Sequence, residues 1–375
     1  MTVPIRVLMI SKACIVGIYQ RKLEAIAKQG IDLQVLVPPS WKDERGEILL
    51  ERAYVKGYRM AVLPMALNGN FHLHFYRGMG KAIRAFQPHI VHIDEEPYNL
   101  SCWQALYHAR RVGAKSLFFS WQNIARSYPP PFSWGESWVL SHVDHAIVGT
   151  ESAGEVWRTK GYRGEIDVIA QFGVDTELFT PADEQPNRPF TIGCVARLVP
   201  EKGIDVLLRA VVQLGDNAYV RIVGGGPLRG ELESLAASLG MAERVTFLDQ
   251  IPSRDMPAQY RQIDVLAVPS LTRPNWKEQF GPRATVEAMA SGVPVIGSSS
   301  GAIPDVIADA GLIVPEGDAL ALANALCRLR DDPALRRELG RKGYARVLAH
   351  YTHEQVAAAT VEVYRKMVGR VQGEW

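Results

Sequence analysis

Thr191-Ile192-Gly193-Cys194-Val195-Ala196-Arg197-Leu198-Val199-Pro200-Glu201-Lys202-Gly203 is the stretch on which the fold turns. Residues 191–195 form a short run without polar alternation, and a helical pattern resumes only near Gly203. A buried strand that passes through a short polar turn into a helix is the repeating unit of a parallel sheet covered on both faces. Working outward, the same unit recurs. Runs at 219–223, 245–248, 265–268, 293–296 and 312–314 follow it, and runs at 5–10, 33–37, 90–93, 116–119 and 146–148 precede it. Amphipathic stretches such as 19–28 and 103–111 lie between them. The pattern predicts an α/β protein of two Rossmann-like, doubly wound domains. The two series are separated by Thr180-Pro181-Ala182-Asp183-Glu184-Gln185-Pro186-Asn187-Arg188-Pro189, which is proline-rich, polar and aperiodic, as a linker is. The expected domains are 1–180 and 181–352, with helical patterns closing the chain.

Composition is consistent with this and narrows the function little. The chain has 375 residues, 47% hydrophobic and 22% charged, enough for two cores and unlike a disordered chain. There are 20 basic against 17 acidic residues up to Thr180 and 22 against 23 beyond it. Neither half has the basic excess that a nucleic-acid partner requires. Four scattered cysteines, Cys14, Cys102, Cys194 and Cys327, lack zinc or C-x-x-C spacing and read as reduced thiols. The apolar run 7–10 is too short for a signal sequence, and no window approaches a membrane span. A cytoplasmic protein is expected.

In open α/β sheets ligands gather beyond the carboxyl ends of the strands, so residues just after strands carry the functional signal. Arg197 and Lys202 leave such an end ahead of a helix. A guanidinium fork, a point charge and a helix N-terminus together suit a diphosphate; two surface cations in a solvated turn are the plain alternative. Val223-Gly224-Gly225-Gly226-Pro227 lets backbone pass close to a ligand or to a neighbouring segment. The segment Trp276-Lys277-Glu278-Gln279-Phe280-Gly281-Pro282-Arg283-Ala284-Thr285-Val286-Glu287-Ala288-Met289-Ala290 follows another strand. It places Glu278 in a loop and Glu287 in a helix whose neighbours Ala284, Met289 and Ala290 read as interior. Two carboxylates so placed can hold two sets of sugar hydroxyls, and a buried acid calls for partners.

Together these motifs resemble the family 4 retaining glycosyltransferases, which have the two-domain GT-B architecture. The resemblance also rests on Gly173-Val174-Asp175-Thr176-Glu177-Leu178-Phe179, Ser300-Gly301-Ala302-Ile303-Pro304-Asp305 and Gly311-Leu312-Ile313-Val314-Pro315. It covers the second domain in order and the first only loosely. It implies two domains facing across a cleft, the first for the acceptor and the second for the donor, with a last helix from about 353 to 375 returning to the first. It implies that Arg197 and Lys202 bind the donor diphosphate and that Glu278 sits by the transferred sugar, with the Phe280 and Gly281 backbone nearby. Glu287 is implied to hold the ribose, Gly225 and Ile251 to lie along the donor with Ile251 near the base, and Gly17 to let backbone approach the phosphates. The implied partners are a nucleotide-sugar donor and a carbohydrate or lipid-linked acceptor. No cofactor is implied.

No two aspartates stand two residues apart, so metal-free stabilisation of the leaving group by fixed cations is expected. Two features depart from the family. Glu278 and Glu287 are nine residues apart instead of eight, and Gln122-Asn123 stands where relatives carry a histidine and often an aspartate. Glutamine hydrogen-bonds a hydroxyl but does not act as a base. His92 and Asp94, at a strand end, are further acceptor-side candidates, with Asp94-Glu95-Glu96 read as partly exposed. His72 and His74 read as surface, and His142 and His145 as structural. Residues 70–84 place Arg77, Lys81 and Arg84 on one helical face after several aromatics. That suits either an anionic membrane surface or an ordinary solvated helix. The rival functions are a nucleotide-sugar epimerase or hydrolase, a dinucleotide-dependent oxidoreductase using the glycine turn with Asp249, and a non-catalytic carbohydrate-binding protein.

Overall fold

A computed structural model describes residues 4–43, 46–181, 188–279 and 283–372. The chain divides into two compact units, Met1–Gly173 with His353–Trp375, and Val174–Thr352. Most of the expected linker, residues 182–187, lies outside the described residues. Val174 and Phe179, just before it, are buried in the core of the second unit.

The first unit is built on a seven-stranded parallel sheet. Its strands are β1 (Arg6–Ser11), β2 (Asp32–Val37), β3 (Arg59–Val62), β4 (Ile90–Asp94), β5 (Lys115–Ser120), β6 (His145–Val148) and β7 (Glu165–Val168). They lie in the order β7-β6-β5-β4-β1-β2-β3. The second unit has a six-stranded parallel sheet of β8 (Phe190–Val195), β9 (Ala218–Val223), β10 (Val245–Leu248), β11 (Val265–Val268), β12 (Val295–Ser298) and β13 (Gly311–Val314). Their order is β10-β9-β8-β11-β12-β13. The two strands absent from the sequence reading, β3 and β7, are sheet edges. Their residues are only half-buried, so they lack the continuous apolar run that marks a central strand.

Both faces of the second sheet are covered. Ile192, Cys194, Val220 and Ile222 belong to one core with Leu207 and Val211 of the helix Ile204–Val212. Val223, Leu266, Val268 and Val295 belong to another with Val286 and Met289. In that helix Ile204, Leu207, Leu208 and Val211 are all buried, spaced for one face. Burying each such side chain contributes about 1.5–3 kcal/mol. The C-terminal helix His353–Gln372 packs on the helix Gln20–Ala27 of the first unit.

Each sheet reverses direction once. In the first unit the chain moves outward from β1 through β2 and β3, then returns to place β4 on the other side of β1. In the second it moves outward from β8 through β9 and β10, then returns with β11. A crevice opens at the carboxyl ends of such strand pairs because their crossovers depart in opposite directions. The fold therefore directs attention to residues after β1 and β4, and after β8 and β11.

The basic segment forms a helix, Met79–Phe86, with Lys81 and Arg84 exposed. Its apolar face is already used, since Met79 and Ile83 lie in the core of the first unit. Among the described residues no helix is long and apolar enough to cross a membrane. Cys14, Cys102, Cys194 and Cys327 are free thiols.

Candidate functional site

The crevice of the second unit gathers four elements of the predicted site. After β8 the backbone runs beside the glycine turn. Ala196 N–H donates to Val223 O at 3.1 Å and Leu198 N–H to Gly225 O at 3.0 Å. A Cβ on Gly224 would fall 2.0 Å from Ala196 O, and one on Gly226 would fall 2.4 Å from Leu198 O. These two glycines serve the close approach of neighbouring backbone, while Gly225 is exposed with open space over its Cα. Gly203 has φ +60°, and a Cβ there would meet Pro269 O at 2.1 Å. The turn carrying Lys202 is thus seated directly against the end of β11.

Arg197 is exposed, and its guanidinium has no hydrogen bond or ion pair with the described residues. Lys202 is shielded and engaged. Its Nζ donates to Glu278 Oε2 at 2.7 Å and lies 4.6 Å from the centre of the Trp276 ring. Ser270 Oγ donates to the same Glu278 oxygen at 2.9 Å, and Ser298 Oγ donates to Ser270 O at 2.5 Å. A Cβ on Gly301 would fall 2.0 Å from Glu278 O, so the Ser300–Ala302 turn is moulded on the Glu278 loop. The structure thus brings Lys202 and Glu278 into direct contact, which the sequence reading treated as separate contacts to a ligand. An ammonium has three donors, so one bond to Glu278 leaves others for an anion.

Glu287 is 5% exposed in the helix Arg283–Ala290, in agreement with the interior pattern around it. Tyr260 Oη donates to its Oε2 at 2.9 Å and Arg283 Nε to its Oε1 at 2.9 Å. Burial still holds its pKa above the ordinary carboxylate value, against the pull of Arg283 and Tyr260. Its burial therefore needs no ligand to explain it, and sequence reasoning missed both partners. Arg283, four residues earlier on the same helix, was the available signal. Ile251 is half-buried against the same core. Phe280 and Gly281, and the turn that would absorb the ninth residue, lie outside the described residues.

The crevice of the first unit is a pocket of about 350 Å³ lined by residues after β1, β4 and β5, among them Lys12, Asp94, Glu95, Glu96 and Trp121, together with Trp41. Asp94 and Glu95 are buried, contrary to the expectation of partial exposure, whereas Glu96 is half-buried, in agreement with it. Asp94 accepts from Ser11 Oγ at 2.5 Å and Gln171 Nε2 at 2.7 Å, and burial raises its pKa. Glu95, 2% exposed, pairs with Lys12 and lies 3.3 Å from His74 Nε2. Burial alone would raise its pKa, but Lys12 and His74 hold it down to about 2. Glu96 accepts from Ser120 Oγ at 2.6 Å and from Trp121 N–H at 2.9 Å, yet burial pushes it up to about 7.

Because the folded pKa of Glu96 lies above its ordinary value of 4.5, its contribution to stability is present below that value. It is lost as pH rises through about 7. Glu96→Gln is expected to flatten this loss, with a stability gain relative to wild type that grows between pH 5 and pH 8 by about 1–3 kcal/mol. Urea denaturation at the two pH values reads the difference; an equal effect at both would show that Glu96 is not held protonated.

Three expectations are corrected here. His92 does not face the crevice. It is 1% exposed, and its Nδ1 lies 2.6 Å from Tyr364 Oη on the C-terminal helix. Burial, with Lys22 nearby, drives its pKa well below the ordinary value, so it is a neutral core histidine. His74 is fully buried rather than on the surface, 3.0 Å from Ser101 Oγ. Gln122 is 6% exposed and turned inward, its Nε2 donating to Ile124 O at 3.1 Å and its Oε1 accepting from Lys160 at 3.3 Å. Asn123 beside it is 7% exposed. His145 is structural, held by Asp167 at 2.7 Å.

At Gly17 the N–H donates to Glu51 Oε2 at 2.6 Å, and a Cβ would fall 2.8 Å from Ala53 Cβ. Glycine is needed there for the passage of residues 51–53, and an anion reaching this amide has to displace Glu51. Lys12 and Trp41 were not picked out from the sequence. Lys12 directly follows β1 and was legible by the strand-end rule. Trp41 sits in a short hairpin, Ser40–Asp43 with Gly46–Leu49, whose pattern is not that of a core strand.

Two parallel α/β domains with ligand-type residues at both switch points define a two-domain Rossmann-like protein of the GT-B class. Comparison with known proteins supplies the family. Residues 175–346 match the family described as glycosyl transferases group 1, and residues 18–171 match the glycosyl transferase 4-like domain. The chain belongs to the family 4 glycosyltransferases. It is 35% identical over 187 residues to a GDP-mannose-dependent alpha-(1-6)-phosphatidylinositol monomannoside mannosyltransferase of Mycolicibacterium smegmatis, covering 46% of this chain and 49% of that one. It is 34% identical over 255 residues to a D-inositol 3-phosphate glycosyltransferase of Streptomyces avermitilis, covering 61% and 53%. The alignments span about half the length of these curated relatives. Among solved structures, a sucrose-phosphate synthase from Thermosynechococcus elongatus superposes with TM-score 0.72, at 24% identity over 98% of this chain and 100% of that one. The Anabaena protein HepE, solved with UDP and glucose, superposes with TM-score 0.70, at 18% identity over 96% and 100%.

Proposed function

We propose that this protein is a retaining, metal-independent glycosyltransferase that moves a hexose from a nucleoside diphosphate to an acceptor hydroxyl. The observation that carries the reading is the exposed Arg197 guanidinium, without a partner among the described residues, on the same switch-point turn as the Lys202–Glu278 pair. In the reaction the anomeric C–O bond breaks and its electron pair leaves on the diphosphate. Arg197 and Lys202 stabilise that charge without reorganising, which is the efficient way to supply such stabilisation. Glu278 accepts hydrogen bonds from hydroxyls of the transferred sugar, Glu287 from the ribose, and the Gly225 and Ile251 region borders the rest of the donor. The acceptor hydroxyl gives its proton to a donor phosphate oxygen, in keeping with Gln122 being no base. The relative named for GDP-mannose and the neighbour solved with UDP support a nucleotide-sugar donor.

An oxidoreductase built on the glycine turn needs Asp249 for a ribose. In this structure Asp249 is bound by Arg229 at 2.6 Å, and that reading leaves Arg197, Lys202 and Glu278 without a role. Transfer is expected to proceed undiminished in EDTA and to give a product with the donor's anomeric configuration, read by NMR. Loss of activity in EDTA, restored by a divalent cation, would contradict the metal-free assignment; an inverted product would contradict retention.

A further inference from the structure

We infer that the switch-point pocket of the first unit is an acceptor subsite for an uncharged sugar or polyol ring and rejects phosphorylated ones. The inference rests on the glycosyl-transfer reading and adds to it the charge of the acceptor. The walls combine flat apolar surface, from Trp41, Trp121 and Phe71, with carboxylates from Asp43, Asp94, Glu95 and Glu96. A sugar ring has both an apolar face and a rim of hydroxyls, and pockets of this composition match it.

The charge balance decides which ring. Among the described lining residues Lys12 is the one cation, against four carboxyl groups. Lys12 is already committed: it pairs with Glu95, and its Nζ lies 5.5 Å from the centre of the Trp41 ring and 5.1 Å from that of Phe71. The Trp121 indole N–H, a neutral donor of the kind a phosphate accepts from, is bound to Gln171 Oε1 at 2.7 Å. What the wall offers is acceptors. Its carboxyl groups belong to Asp43, Asp94, Glu95 and Glu96. A carboxylate oxygen accepts from an O–H donor, which a sugar hydroxyl has and a phosphate dianion lacks. Like charges brought together in a desolvated site repel strongly, and the wall gains negative charge as pH rises through about 7, where Glu96 ionises. The relative from Streptomyces avermitilis is named for a phosphorylated inositol, so this pocket predicts a different acceptor class for the present chain.

The test is calorimetric titration of the full chain, without donor, against methyl α-mannoside and myo-inositol and against mannose 6-phosphate and inositol 3-phosphate. At least one uncharged ring is expected to bind, with its phosphate at least about tenfold weaker. Asp43→Lys, at a half-exposed hairpin position, is expected to close that gap, and so is raised salt. Phosphates binding as tightly as the uncharged rings, a gap indifferent to Asp43→Lys, or no uncharged ring binding would overturn the inference. Because the readout is binding alone, absence of nucleotide-sugar turnover would sink the transfer reading without deciding this one.

Discussion

Arg197→Ala is expected to lower transfer by about 100- to 1,000-fold, the loss typical of removing one fixed donor from a site where charge develops. The thermal midpoint is expected to stay within about 2 °C of wild type, because an exposed side chain with no partner takes no structural contact with it. This separation of activity from stability is the signature of a residue kept for a ligand. The Arg197 guanidinium is exposed and is joined to no described residue, so nothing in the fold accounts for a cation at that point. Lysine is expected to recover only part of the loss, since a point charge does not reproduce the bidentate fork. Wild-type-like turnover of Arg197→Ala would remove the phosphate site from the account.

Lys202 behaves differently, because it serves both the ligand and the fold. Lys202→Met takes the cation from the buried Glu278 carboxylate, which keeps the Ser270 hydroxyl as a neutral donor. A cost of about 1–3 kcal/mol is expected from the lost charged partner, together with loss of transfer. The double variant Lys202→Met with Glu278→Gln removes the stranded charge, and most of the stability is expected to return. Activity is not expected to return, since the leaving diphosphate still lacks its cation. Chemical denaturation and turnover measured on the single and double variants separate the two roles. A double variant that recovers activity would show that Lys202 acts only as a structural partner of Glu278.

The central strands of both sheets were legible because they are predominantly apolar runs, and their ends led directly to Arg197, Lys202 and Glu278. The edge strands were not, since Arg59–Val62 and Glu165–Val168 are half-buried and carry no such run. Burial of Glu287 followed from its small apolar neighbours, but its partner Tyr260 lies 27 residues away and only the fold reveals the contact. His92 was misjudged for a related reason. The strand-end rule holds for the last residue of a strand and those after it, whereas His92 lies two residues before the end of β4, on the same face as Asp94. At that depth it is covered by Tyr364 from the far end of the chain, while Asp94 and Glu95 line the pocket. The buried character of Asp94 and Glu95 was hidden as well, because their compensating groups, Lys12, His74, Ser11 and Gln171, come from scattered segments.

The most direct test of the account is titration calorimetry of UDP-, GDP- and ADP-sugars, with NAD as the competing ligand, in EDTA on wild type and Arg197→Ala. One or more nucleotide sugars are expected to bind wild type without metal, NAD is not, and the affinity is expected to fall at least about tenfold in Arg197→Ala. Binding of NAD with no response to any nucleotide sugar, or nucleotide-sugar affinity unchanged by Arg197→Ala, would contradict it.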